Sequence, residues 1–126
     1  MDFDGVNYLA VVVAAVLAFV FGAAYYGALS KPWMKAARIE PKPGASGGMM
    51  PPPALLINSI VCELIMAWVL AAVVASTGSV GIGSAIAVAF LLWIGFIATT
   101  VAVNQRYQGY GWDLTAIDAG HWLGVA

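Results

Sequence analysis

Charge is what this sequence has least of. Only 9% of its 126 residues are Asp, Glu, Lys or Arg, while 63% are hydrophobic. Soluble domains carry about 25% charged and about 45–50% apolar residues. So few charges cannot cover a water-facing surface, which excludes an ordinary water-soluble globular domain. The net charge of -1 provides no basic surface, so no nucleic-acid partner is expected. Cysteine is also scarce. Cys62 is the single one, which excludes an intramolecular disulfide, and its place in an apolar run reads as a small core residue. No nucleophile elbow, phosphate loop or paired-cysteine motif occurs, so nothing points to an enzyme, and no cofactor or metal is expected. The start, Met1-Asp2-Phe3-Asp4-Gly5, lacks the basic residues of a signal peptide and leads into a long apolar run, which reads as an uncleaved first span.

What is present is a set of long uncharged runs, each able to supply the ~20 apolar residues of a membrane span. Spans are expected over 6–29, 54–75 and 82–104, with a fourth begun at 114–126. Thirteen residues reach only about 20 Å as a helix, short of the ~30 Å hydrocarbon core, so a further C-terminal stretch is expected to complete the fourth span. The expected fold is all-α, one transmembrane domain over 1–126 forming a polytopic four-helix bundle in the lipid bilayer. The loop 31–53 carries Lys31, Lys35, Arg38 and Lys42 against Glu40, then runs into Gly- and Pro-rich sequence expected to be mobile. Its first part, Lys31–Glu40, has the pattern of a short interfacial helix. A short basic loop faces the cytoplasm, so both termini are expected outside the bacterial inner membrane. Lys31, Lys35, Trp33 and Trp112 are expected at the membrane–water boundary.

Small residues recur every four positions: Ala10, Ala14, Ala18 and Gly22 in the first span, Gly95 with Thr99 in the third, and Ala116, Gly120 and Gly124 in the fourth. In membranes such stripes serve helix packing, because small side chains let backbones approach. One bundle can bury only some of them, so a homo-oligomer or a larger membrane complex is expected.

Glu63 is the only charged residue between Lys42 and Arg106. A carboxylate at that depth costs roughly 2.5–3.5 kcal/mol on insertion scales unless sheltered. By helix rise it lies ~13 Å from the cytoplasmic edge, and His121 lies ~10 Å from the same edge. Asp118 and His121, three apart, share a face of the fourth helix. Asn58, Thr100, Asn104 and Tyr25 fall in the same leaflet. The economical arrangement turns Glu63 toward Asp118 and His121. Four readings fit such a cluster: a polar knot that fixes helix register, a proton or solute pathway, a metal site, and a catalytic acid–base pair. A lone D-x-x-H is a weak metal signal. The first makes the protein a structural or accessory subunit of a membrane assembly, and the second makes it a small proton-linked transporter or channel.

Asn7-Tyr8-Leu9-Ala10-Val11, Phe21-Gly22-Ala23-Ala24-Tyr25-Tyr26, Lys31-Pro32-Trp33-Met34-Lys35, Leu92-Trp93-Ile94-Gly95-Phe96 and Asp118-Ala119-Gly120-His121 together resemble one bacterial membrane family, domain of unknown function seventeen-sixty-one. The resemblance implies four spans with the fourth complete, and it names no activity. Gly27-Ala28-Leu29 departs from the Ser-Pro-containing turn more usual there.

Single cysteines placed between Lys31 and Lys42 in a Cys62→Ser background are expected to react only with reagents that reach the cytoplasmic side. Reaction with an external impermeant reagent alone would reverse the orientation.

Overall fold

The computed structural model describes residues 1–40, 51–78 and 81–126, and among these every regular element is helical, with no strand. Helix α1 spans Tyr8–Ala28 and α2 spans Ser30–Ala36. Helix α3 spans Pro53–Ser76. Helix α4 (Ile82–Leu92) runs through a π-helical segment, Trp93–Ala98, into α5 (Thr99–Tyr107), and α6 is Trp112–Val125. Three continuous helices, Tyr8–Ala28, Pro53–Ser76 and Ile82–Tyr107, are long and apolar enough to cross a membrane. The expected mobile Gly/Pro stretch falls largely on residues 41–50, outside the described residues.

Local chemistry explains the boundaries. The Asn7 side chain accepts a hydrogen bond from the Ala10 amide at 3.1 Å and caps α1, supplying one of the acceptors that a helix start lacks. Pro53 opens α3, where its missing N–H costs nothing. Gly78, at φ +65°, takes the left-handed conformation that stops α3. Gly109, at φ +79°, ends α5 the same way, with the Tyr110 amide bonded back to the Gln105 carbonyl at 2.9 Å. The third span therefore runs three residues beyond the expected Asn104, and α2 occupies the start of what reads as a loop.

Helix α1 is central. It packs most extensively on α3, and its C-terminal half packs on α6, which also meets α5 and the π segment. The α1–α3 crossing is tight because Ala72 is fully buried, with Val6 and Val11 around it and Phe3, Ala67 and Ala71 at the margin. Lipid tails are as apolar as side chains, so close van der Waals packing and not the hydrophobic effect holds such a crossing. The amide of Asp2 donates to the Ser76 hydroxyl at 2.7 Å, placing the N-terminus beside the end of α3. At the opposite end Arg38 donates to the Gly109 carbonyl at 2.7 Å. Lys31, Lys35, Arg38 and Arg106 thus gather at one end of the helices, while Asp2 and Asp4 sit at the other.

Ala72→Leu forces three extra carbons into the α1–α3 contact and is expected to cost about 1–3 kcal/mol. Thermal unfolding in nanodiscs measures this, with exposed Ile86→Leu as the unchanged control. An unaltered midpoint for Ala72→Leu would refute the crossing.

Candidate functional site

The polar side chains that the helices bring together form two separate sites. The first lies where α1, α5 and α6 meet. The Tyr26 hydroxyl donates to Asp118 Oδ1 at 2.7 Å, and the Gln105 amide donates to Asp118 Oδ2 at 2.8 Å. Gln105 Oε1 in turn accepts from the Thr115 hydroxyl at 2.6 Å, and that hydroxyl accepts from Arg106 Nη2. Donors run in one direction, from Arg106 through Thr115 and Gln105 to Asp118, and Tyr26 closes the chain from the other side. Each Asp118 oxygen therefore has a donor, as a carboxyl group in a low-dielectric interior requires. Arg106 also bonds the Gly111 carbonyl at 2.7 Å and lies over the Trp112 ring, 4.0 Å from its centroid, while its Nε and Nη1 are buried without hydrogen-bond partners.

The same junction holds His121 among aromatic rings. Its centroid lies 4.8 Å from Tyr26, 5.7 Å from Tyr25, 6.1 Å from Phe21 and 4.7 Å from Trp122. Its Nδ1 is buried without a partner. Packing here is reciprocal. A β-carbon on Gly22 of α1 would fall 2.8 Å from His121 Nε2, and one on Gly120 of α6 would fall 2.8 Å from the Tyr25 hydroxyl. One on Gly124 would strike the Phe21 ring. Rings of one helix fill the side-chain space that glycines leave on the other. Tyr25 bonds the Ile117 carbonyl and Trp93 bonds the Ala119 carbonyl, both at 2.8 Å, so two indole or phenol donors grip the α6 backbone.

The second site is Glu63. Its residue is 5% exposed and its Oε2 is buried without a hydrogen-bond partner. It lines a cavity of about 830 Å³ between α1, α3, α4 and the end of α6. Ala10, Ala14 and Ala18 line the same cavity, so this part of the first-span stripe faces open space, and only Gly22 meets another helix closely. Besides Glu63, the wall includes the Asn7 side chain at the start of α1 and the Trp93 indole.

The expected meeting of Glu63 with Asp118 and His121 does not occur. No bond or ring contact joins them, because α1 lies between α3 and α6 and takes up the packing of both. Among the described residues no group of three or more His, Cys, Asp or Glu is placed to hold a metal ion, so the ligand set Glu63, Asp118 and His121 is not assembled. Asn58, Thr100 and Asn104 are exposed on the outer faces of their helices. Gly95 has open space around it, and Thr99 turns its hydroxyl back to the Gly95 carbonyl at 2.9 Å. Cys62 is exposed and not a core residue, since its neighbour Glu63 takes the inward position. Lys31, Lys35 and Trp112 are exposed, and Trp33 stands edge-on to Tyr26 at 5.7 Å. Sequence reasoning missed Gln105 and Thr115 and did not place Tyr26 or Arg106 in the site. The available signal was their crowding at the two helix ends joined by the Gly109 turn.

The chain belongs to the family described as protein of unknown function DUF1761, whose match covers residues 9–126, essentially the whole chain. No curated protein and no solved structure matches it significantly.

Gln105→Leu removes the link between Thr115 and Asp118 and leaves both short of a partner. The expected cost is about 1–3 kcal/mol in nanodisc unfolding. Gly22→Val should separate α1 from α6 and lower stability further. If Gln105→Leu unfolds like the parent protein, the bonded chain does not form.

Proposed function

We propose that this chain is a small multi-pass protein of the bacterial cytoplasmic membrane that binds an amphiphilic solute inside a four-helix bundle and exchanges it for a proton on Glu63. One observation carries the reading. Glu63 is 95% buried, since only 5% of it is exposed, yet its Oε2 has no partner and its side chain borders an 830 Å³ apolar cavity. A buried polar group without a hydrogen bond costs about 1–3 kcal/mol on mutational scales. A purely structural residue would not hold that cost, and intramembrane ionisable groups that remain unsatisfied mark solute or proton paths. The saturated Asp118 chain behaves differently. It is a fixed brace that holds α1, α5 and α6 in register while the cavity does the work.

The basic end of the helices, with Lys31, Lys35, Arg38 and Arg106, faces the cytoplasm in this reading, and both termini face outward. Gly5 and Asn7, at the end of the cavity wall nearest the N-terminus, then lie on the outer side. The partners we propose are the lipid bilayer and a second copy meeting through the exposed Gly95–Thr99 face, in the manner of small-residue association in membranes. The competing reading, an accessory subunit whose acid is structural glue, makes the opposite claim about Glu63.

Substitution of Glu63 separates the two. No bond is lost in Glu63→Met, so a binding residue leaves the protein more stable by about 1–3 kcal/mol. A structural acid leaves it less stable. In intact liposomes a lipid-soluble carbodiimide is expected to modify Glu63 in the parent protein. Its acid oxygen adds to the carbodiimide carbon while its proton passes to nitrogen. Asp118, engaged by two donors, is expected to stay unmodified. A destabilised Glu63→Met together with an unreactive Glu63 would overturn the proposal.

A further inference from the structure

Helix α2 and the α5–α6 turn form the basic end of the molecule. Lys31 and Lys35 stand one turn apart on an exposed face of α2, while Ala36 is buried and Trp33 turns to the Tyr26 ring. Arg38 comes next, at φ +57°, in the left-handed position that glycine takes most easily. The Ile39 amide bonds back to the Met34 carbonyl at 2.9 Å and fixes this turn. From it the Arg38 guanidinium donates to the Gly109 carbonyl at 2.7 Å and lies 5.5 Å from the Tyr110 ring centroid. Exposed Ile39 follows Arg38 directly, and exposed Trp112 follows the α5–α6 turn.

Acid is scarce at this end. Glu40 and Asp113 are exposed there, and the Asp113 carboxylate accepts from the Leu114 amide at 2.9 Å. Among the described residues neither Lys31 nor Lys35 is paired with an acid. The sequence from 41 to 50 adds Lys42 and no acid. Arg106 adds charge at the same turn, bonded to the Gly111 carbonyl, but its unbonded nitrogens are buried and offer a ligand nothing.

We infer that Lys31, Lys35 and Arg38 make this surface a docking site for the head groups of anionic phospholipids. A phosphodiester with net negative charge complements exposed cations that the chain's own acids leave unpaired. A zwitterionic head group carries its own ammonium, which the same cations repel. A free phosphate ion would supply the charge without tails, whereas exposed Ile39 and Trp112 and the apolar helices give tails a surface to lie against. The surface lies at the end where α6 begins, and Glu63 takes no part in it, so this inference stands or falls apart from the reading above.

Lipid titration of the detergent-solubilised full chain, followed by native mass spectrometry, tests this. Dioleoyl phosphatidylglycerol and dioleoyl phosphatidylcholine carry the same tails and differ in head-group charge. The parent protein is expected to bind the anionic lipid at least about tenfold more tightly. Each cation near an anionic surface contributes about fivefold. Lys31→Gln with Lys35→Gln should therefore lose at least about tenfold in phosphatidylglycerol affinity and leave phosphatidylcholine binding unchanged. Lys31→Arg with Lys35→Arg keeps both charges and should keep the preference. Both side chains are exposed, so far-UV circular dichroism of either double variant is expected to match the parent. Equal affinity of the parent for the two lipids would overturn the inference, as would a double glutamine variant that keeps the preference. Displacement of phosphatidylglycerol by an equal concentration of glycerol 3-phosphate would mark a site for phosphate alone and overturn the lipid as its occupant.

Discussion

A polar group inside a bilayer has no water to fall back on, and its partners must come from the protein. The same need governs any carboxyl group removed from water between apolar helices. Asp118 meets it completely. Its two oxygens are held by Tyr26 of α1 and Gln105 of α5, so three helices converge on one carboxyl group. Removing any arm of that arrangement strands the others, which is why the chain from Arg106 to Tyr26 acts as a unit and not as separate weak bonds. Position within the fold follows from it. The α5–α6 turn at Gly109 brings Gln105 and Arg106 back over Thr115 and Asp118, and Arg38 ties the end of the first hairpin arm to the same turn.

The packing around this brace uses a division of labour between rings and glycines. Phe21 and Tyr25 of α1 sit over Gly124 and Gly120 of α6, and His121 of α6 sits over Gly22 of α1. Each ring needs a gap in the facing helix, and a glycine is the only residue that leaves one at that distance. Close approach here is bought with aromatic volume, whereas at the α1–α3 crossing it comes from Ala72 alone. The two crossings grip α1 at different places along its length, and the pocket that Glu63 lines lies beside it.

How much of this could be read from residues alone divides along a physical line. Hydropathy is a property of a run, so the three long helices are visible as uncharged stretches, and their ends shift by only a few residues because caps such as Asn7 and Gly78 are local. Rotation about the helix axis relative to a particular neighbour is not visible in this way. Glu63 and His121 lie at similar depths, yet α1 stands between their helices. A four-residue stripe marks a face without saying what it faces: Gly120 and Gly124 meet rings, Gly95 meets nothing in the chain, and Ala10, Ala14 and Ala18 border a void. Gln105 was invisible as a site residue because its role depends on the turn that follows it.

The contrast between the two carboxyl groups is the strongest functional argument the molecule offers. Glu63 is buried and Asp118 half-buried, and the same chain that provides Asp118 with two donors provides the Glu63 Oε2 with none. Asn58 and Ser59 on the same helix as Glu63, and Thr100 and Asn104 on α5, are all exposed. A hydrocarbon side chain in place of the acid would avoid the cost of an unpaired carboxyl oxygen. Sites that keep such a cost do so where a ligand supplies the missing interaction, and the stability lost in the empty state is recovered on binding. In the proposed reading the Asp118 junction supplies rigidity and Glu63 does the binding, and α1, which packs on both α3 and α6, separates the two.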